Sequence, residues 1–181
     1  MTVYSLVLFV HVVAVLTLFS ALSLEALSLF RLRRASGLPE IRLWIEPVPG
    51  LPSITGSSLL VTLLSGIYLA VQMSAFGGAW PKVTIAALFL IAPLAAISGR
   101  RMRAIHRASA STAAMISDLR GRLRDPLLKI SLDIRIAVVL GIVLLMDAKP
   151  GLWESVGIVG TSVALGLLAA FLVSSRASST R

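Results

Sequence analysis

The chain has no cysteine among its 181 residues, which excludes disulfides, thiolate catalysis and iron–sulfur ligation by this chain alone. Charge is scarce as well. Charged residues make up 14% of the sequence and only 8 are acidic, whereas roughly a quarter of the residues in a soluble domain are charged. There is no glycine-rich phosphate loop, no HExxH pair and no nucleophile–base constellation, so soluble-type enzymatic chemistry has no support. Met73, Met102, Met115 and Met146 are scattered over separate segments, and no methionine copper box is visible. No internal repeat divides the chain, and residues 1–181 read as one domain.

What the sequence has in quantity is hydrocarbon: 57% of its residues are hydrophobic. A chain this short and this apolar has too little polar surface to stay dissolved, so lipid is the expected solvent. Crossing a bilayer takes about 20 apolar residues at ~1.5 Å each. Segments 4–30, 54–76, 80–99, 130–146 and 152–173 meet that length. The expected fold is all-α, a bundle of five transmembrane helices. The fourth segment is the shortest and carries Asp133 and Arg135 near its start. The first is expected to be a span rather than a cleavable signal, because Met1-Thr2-Val3-Tyr4-Ser5 has no basic region and no small-x-small site precedes the arginines.

The net charge of +9 would point to nucleic acid in a soluble protein. Here the cations flank the apolar runs, so they point to topology and anionic lipid, with no nucleic-acid partner. Arg31, Arg33, Arg34 and Arg42 follow the first segment. Arg100, Arg101, Arg103, Arg107, Arg120, Arg122, Arg124 and Lys129 follow the third, and Arg176 and Arg181 lie in the tail. Only Lys82 and Lys149 fall on the other side. The N-terminus is therefore expected outside and the C-terminus in the cytoplasm, in a multi-pass arrangement across the cytoplasmic (inner) membrane.

The two inner loops differ. Residues 37–54 hold Gly37, Pro39, Pro47, Pro49, Gly50 and Pro52, which prevent a continuous helix. Between these breakers Ile41, Leu43, Trp44 and Ile45 are expected in the headgroup region, with Trp44 as anchor. Residues 103–124 contain good helix formers and an Asp118–Arg122 pair at i, i+4. They read as a cytoplasmic basic helix, either an extension of the third span or a surface element. The arginines Arg100, Arg101, Arg103, Arg107, Arg120, Arg122 and Arg124 are expected to face lipid phosphates, or simply water. Small residues at i, i+4 in the last segment, Gly160 with Ala164 and Ser162 with Gly166 and Ala170, suit close helix packing. Pro93 is expected to kink the third span.

Ionisable residues at membrane depth are costly and mark candidate sites. His11 lies about 10 Å into the first span by helix rise, where it can be a haem ligand, a proton-relay group or a histidine bonded to a neighbouring helix. His106 is roughly 20 Å further along the axis, so the two cannot ligate one iron. Glu25 lies 14 positions after His11 and about 40° from it around the helix, on the same face. Its depth matches that of Arg135 in the fourth span to within ~2 Å. Glu25 and Arg135 are expected to be close, with Asp133 near them.

Two sets of segments carry family resemblances. Leu6-Val7-Leu8-Phe9-Val10-His11-Val12-Val13-Ala14-Val15-Leu16 is similar to the opening helix of copper-resistance protein D and the HemJ-type protoporphyrinogen oxidases. Leu63-Leu64-Ser65-Gly66-Ile67-Tyr68-Leu69-Ala70, Trp80, and Arg135 through Leu145-Met146-Asp147-Ala148-Lys149-Pro150 resemble an uncharacterised family of bacterial integral membrane proteins. The first resemblance implies haem b at His11, with a lysine after a tryptophan as its companion. Here Lys82 follows Trp80 by two positions rather than four and precedes the span. Three functional readings stay open. The leading one is an accessory or binding protein, not an enzyme, using the polar line His11, Glu25, Arg135. The others are a haem-b redox protein with His11 as axial ligand, and a transporter of a small solute or protons. The lipid bilayer is the expected partner, with a homo-oligomer or larger membrane complex as a further possibility.

Overall fold

The structure is a computed structural model that describes residues 2–35, 37–46, 50–110, 121, 123 and 125–178; of 38, 109–110 and 173–178 it describes the backbone only. Among the described residues six helices follow in order: α1 (Val3–Arg34), α2 (Leu38–Ile45), α3 (Leu51–Gln72), α4 (Trp80–Ala110), α5 (Pro126–Ala148) and α6 (Leu152–Ser178), with a 3-10 turn at Ala75–Gly77.

Local chemistry sets the helix ends. Thr2 caps α1, its hydroxyl accepting from the Ser5 N–H at 3.2 Å,. Pro52 and Pro126 sit in the first turns of α3 and α5, where a missing N–H costs no helical bond,. Asp125 caps α5 by accepting from the Leu127 N–H at 2.9 Å. At the other end Lys149 turns left-handed (φ 47), its N–H returns to the Leu145 carbonyl at 3.0 Å, and Pro150 follows,.

Helices α1, α3, α4 and α6 are each long and apolar enough to cross a membrane,, which marks the chain as a membrane protein. α5 has comparable length but holds Asp133 and Arg135 inside it, with Lys129 and Asp147 towards its ends. Burial follows an inside-out pattern. Large apolar side chains such as Phe9, Leu16, Phe89 and Phe171 face outward, while His11, Thr55, Ser58, Thr62, Ser65, Ser98, Ser131 and Arg135 are buried. Hydrocarbon outside offers polar groups no partner, so they turn inward to find one.

α1 packs on α3, α3 on α4 and α4 on α5, and α5 reaches back to α1; α6 lies outside this ring along α5 and α4. α5 thus touches α1, α4 and α6, and its buried residues run from Leu128 to Leu145. Close approach of α5 and α6 depends on missing side chains. A Cβ on Gly166 would lie 2.7 Å from the Ile134 Cα, and one on Gly141 would collide with the Ser162 hydroxyl. Of the two small-residue stripes on α6, the one with Ser162, Gly166 and Ala170 is therefore buried, while Gly160 and Ala164 face outward.

Several boundaries differ from the sequence expectation. α3 starts at Leu51 because Pro52 begins a helix as readily as it breaks one. It ends at Gln72 rather than 76, because Ser74 is left-handed (φ 51) and opens the 3-10 turn. Ile41 and Ile45, one turn apart on α2, are 0% and 2% exposed and enter the core instead of the headgroup region. A short amphipathic helix buries its i, i+4 apolar pair against whatever core it covers. Leu43 points away from that core, and Trp44 stacks under the Arg31 guanidinium at 5.3 Å,. α4 runs without interruption from Trp80 to Ala110 with Pro93 on its exposed side, so residues 103–110 extend that helix rather than forming a surface element. Residues 111–120, 122 and 124 lie outside the described residues, and with them Arg120, Arg122, Arg124 and the Asp118–Arg122 pair.

Candidate functional site: a buried ion pair beside a small cavity

The structure brings Glu25 and Arg135 together. Arg135 donates from Nη2 to Glu25 Oε1 at 2.6 Å and from Nη1 to Oε2 at 3.0 Å, a two-pronged pair tying α1 to α5,. Its Nε donates to the Ser131 carbonyl at 3.3 Å, so each edge of the fork has an acceptor. The Arg135 side chain is 3% exposed and that of Glu25 17%. The pair can form because α5 packs against α1 as well as against α4 and α6. Asp133, expected beside this pair, takes Lys129 as its ion partner instead. The two are one turn apart on α5, and two positions along a helix turn a side chain by roughly 200°, away from the Arg135 face.

His11 is buried (8% exposed) where α1 meets α3. Its Nδ1 is 2.9 Å from the Ser65 hydroxyl. Ser65 gives its only proton to the Val61 carbonyl, so it accepts from His11 Nδ1–H, and the hydrogen-bond network assigns the Nδ1–H tautomer. The ring packs against bare backbone, since a Cβ on Gly66 would sit 3.1 Å from its Cε1. Next to Gly66, between α3 and α4, is a cavity of about 40 Å³ lined by Thr62, Thr84, Trp80 and Met146 among others. This space is far too small for a porphyrin. It suits one or two water molecules, which would satisfy the buried Thr62 and Thr84 hydroxyls that have no protein partner,. His106 lies near the C-terminal end of α4, outside this region. Among the described residues no three His, Cys, Asp or Glu side chains are grouped to hold a metal ion.

A larger cavity, about 230 Å³, lies inside the ring of α1, α3, α4 and α5 at the level of the ion pair. Glu25 and Arg135 form one wall. Thr55 and Gly56 of α3 and Ala92, Ala95, Ala96 and Gly99 of α4 form the others, with Arg103 a turn beyond Gly99. Its shape comes from residues too small to fill it. Gly99 lets α4 cross closely over the start of α3, since a Cβ there would lie 3.0 Å from the Pro52 Cβ.

The basic cluster also divides differently from the expectation of a common lipid-facing role. Arg100 and Arg107 are exposed. Arg101 pairs with Asp125, the residue that caps α5. Arg103 is half-buried against the cavity. Two features were not anticipated. Thr55, Ser58, Thr62 and Ser65 form a buried hydroxyl stripe along α3; their i, i+3, i+7, i+10 spacing was a readable helical signal. Arg33 donates to the Leu123 and Asp125 carbonyls, both at 3.0 Å, stapling the start of α5 to the end of α1. Backbone acceptors leave no mark in a sequence, so nothing pointed to that contact.

The fold and its polar interior thus define an all-helical membrane protein with a charged cavity inside its helix ring. Comparison with protein-family models, with characterised proteins and with solved structures finds no match to this chain.

Proposed function

We propose that the chain is a five-span protein of the cytoplasmic membrane, with its N-terminus outside, and that it acts as a non-enzymatic binding protein holding a small ligand in the cavity beside Glu25 and Arg135. The observation that carries this reading is the cavity itself. Membrane helices use small residues to close on one another, yet Gly56, Ala92, Ala95 and Ala96 leave about 230 Å³ open against a pair of charges. Glu25 and Arg135 neutralise each other, so they hold geometry and field rather than pass protons. The same pairing supports α5 as a span. Its charges inside the bilayer are matched, Arg135 by Glu25 and Asp133 by Lys129, which removes most of the cost of insertion. The arginine asymmetry supports the orientation.

Because the natural chain has no cysteine, any introduced thiol is unique and topology is directly testable. Cysteine in place of Lys82 or Lys149 is expected to react with a membrane-impermeant maleimide in intact cells. Cysteine in place of Arg42 or Arg107 should react only after permeabilisation. Equal labelling at 107 and 149 in intact cells would mean that α5 does not cross, and would overturn the five-span reading. For the binding role, native mass spectrometry of the detergent-purified protein is expected to show a co-purifying small mass. Ala95→Leu, which fills the cavity, should lose it. The same adduct on both proteins would refute binding in this cavity.

A further inference from the structure

The chemistry lining the larger cavity names the class of its ligand, granted the reading above that the cavity is a binding site. Glu25 and Arg135 cancel, which leaves Arg103 as the uncompensated charge on the wall. Arg103 has no ion pair among the described residues, although Arg101, two positions earlier, is paired with Asp125. A half-buried guanidinium facing a cavity with no counter-charge is a place for an anion. The second observation is independent of charge. Thr55 lines the same cavity, is 4% exposed, and its buried hydroxyl has no hydrogen-bond partner. Leaving such a group unsatisfied is destabilising, and a ligand oxygen would satisfy it. The remaining wall is apolar or bare backbone: Leu59, Ala92, Ala95, Ala96 and Gly56. Ala96 and Gly56, which line the cavity, are themselves exposed, so the cavity opens between α3 and α4. Exposed Arg100 and Arg107 flank Arg103 on α4.

We infer that the cavity binds a singly charged phosphate group, held by Arg103 and the Thr55 hydroxyl, with the apolar part of the ligand lying between α3 and α4. A phospholipid headgroup and free phosphate share this chemistry, and the opening between two apolar helices favours the lipid.

The test uses the full-length protein in non-ionic detergent, titrated with phosphatidylglycerol, with diacylglycerol as a phosphate-free control, and followed by native mass spectrometry. Phosphatidylglycerol is expected to bind the natural protein and diacylglycerol not to. Arg103→Gln should weaken binding about tenfold or more, the loss of one hydrogen bond to a charged group. Thr55→Val should weaken it severalfold. Thr55→Val removes a hydroxyl that has no protein partner, so its folded yield should match that of the natural protein, and it remains informative if Arg103→Gln folds poorly. Displacement of the lipid by millimolar inorganic phosphate would support the same site chemistry and identify free phosphate as a competent ligand. If Arg103→Gln and Thr55→Val bind like the natural protein while Ala95→Leu does not, the cavity binds but not through anion recognition. The inference is then overturned and the binding function stands. If Ala95→Leu also retains the lipid, the ligand sits elsewhere and both are refuted.

Discussion

Glu25→Leu is expected to lose most of the folded protein, and to do so more severely than Arg135→Leu. Removing one member of a buried ion pair leaves an uncompensated charge and costs about 3–5 kcal/mol. The two halves are not equivalent. Glu25→Leu strands a guanidinium that is 3% exposed and cannot shed its charge, because arginine stays protonated in proteins. Arg135→Leu strands a carboxylate that is 17% exposed and can accept a proton to become neutral. The order of melting temperatures in detergent should be natural protein, then Arg135→Leu, then Glu25→Leu, with losses on the order of 10 °C. The double variant Glu25→Leu/Arg135→Leu should recover much of the loss, because well-packed apolar residues often replace a buried pair at little cost. Normal yield and melting temperature for Arg135→Leu would show that the pair does not hold α1 to α5.

Gly166→Ala and Gly160→Ala, two substitutions of one kind six residues apart on α6, are expected to act with opposite sign. At Gly166 the new Cβ would lie 2.7 Å from the Ile134 Cα and 3.0 Å from both the Asp133 carbonyl oxygen and the Ile134 nitrogen. Ordinary carbon contacts lie at about 3.5–4.0 Å. All three neighbours are backbone atoms, so no side chain can rotate away and the helices themselves must part. Such overpacking costs about 1–3 kcal/mol. Separation here would also shift α5 and disturb the Arg135 geometry, so the loss should exceed that of Gly141→Ala, whose new Cβ meets the movable Ser162 hydroxyl. At Gly160 an added Cβ meets nothing within 4 Å. Alanine there should stabilise the helix slightly, by up to about 1 kcal/mol from propensity alone. Thermal melts of the three variants decide the matter. A Gly166→Ala protein as stable as the natural one would mean that α5 and α6 do not pack through this crossing.

Much of the architecture was legible in the sequence because a bilayer demands length and apolarity, and both are properties of contiguous residues. The long apolar helices needed no tertiary information. Glu25 and Arg135 could be matched because depth in a span is counted in residues from its end. Asp133 could not be assigned, since depth alone does not say which way a side chain points around the helix. The arginines near the third span were legible as a group but not one by one. Arg100, Arg101 and Arg103 look alike in a row, and only the packing of α3, α4 and α5 makes one exposed, one paired and one part of a cavity wall.

Composition and periodicity by themselves determined that this is a membrane protein of long apolar helices, because hydrocarbon selects for length and apolarity residue by residue. The tertiary structure decided that α5 is enclosed, that Ser162 and Gly166 rather than Gly160 and Ala164 meet a neighbour, and that small residues on α3 and α4 surround a void. Those are outcomes of which helix faces which, and that choice depends on contacts between residues far apart in the chain, which no local pattern records.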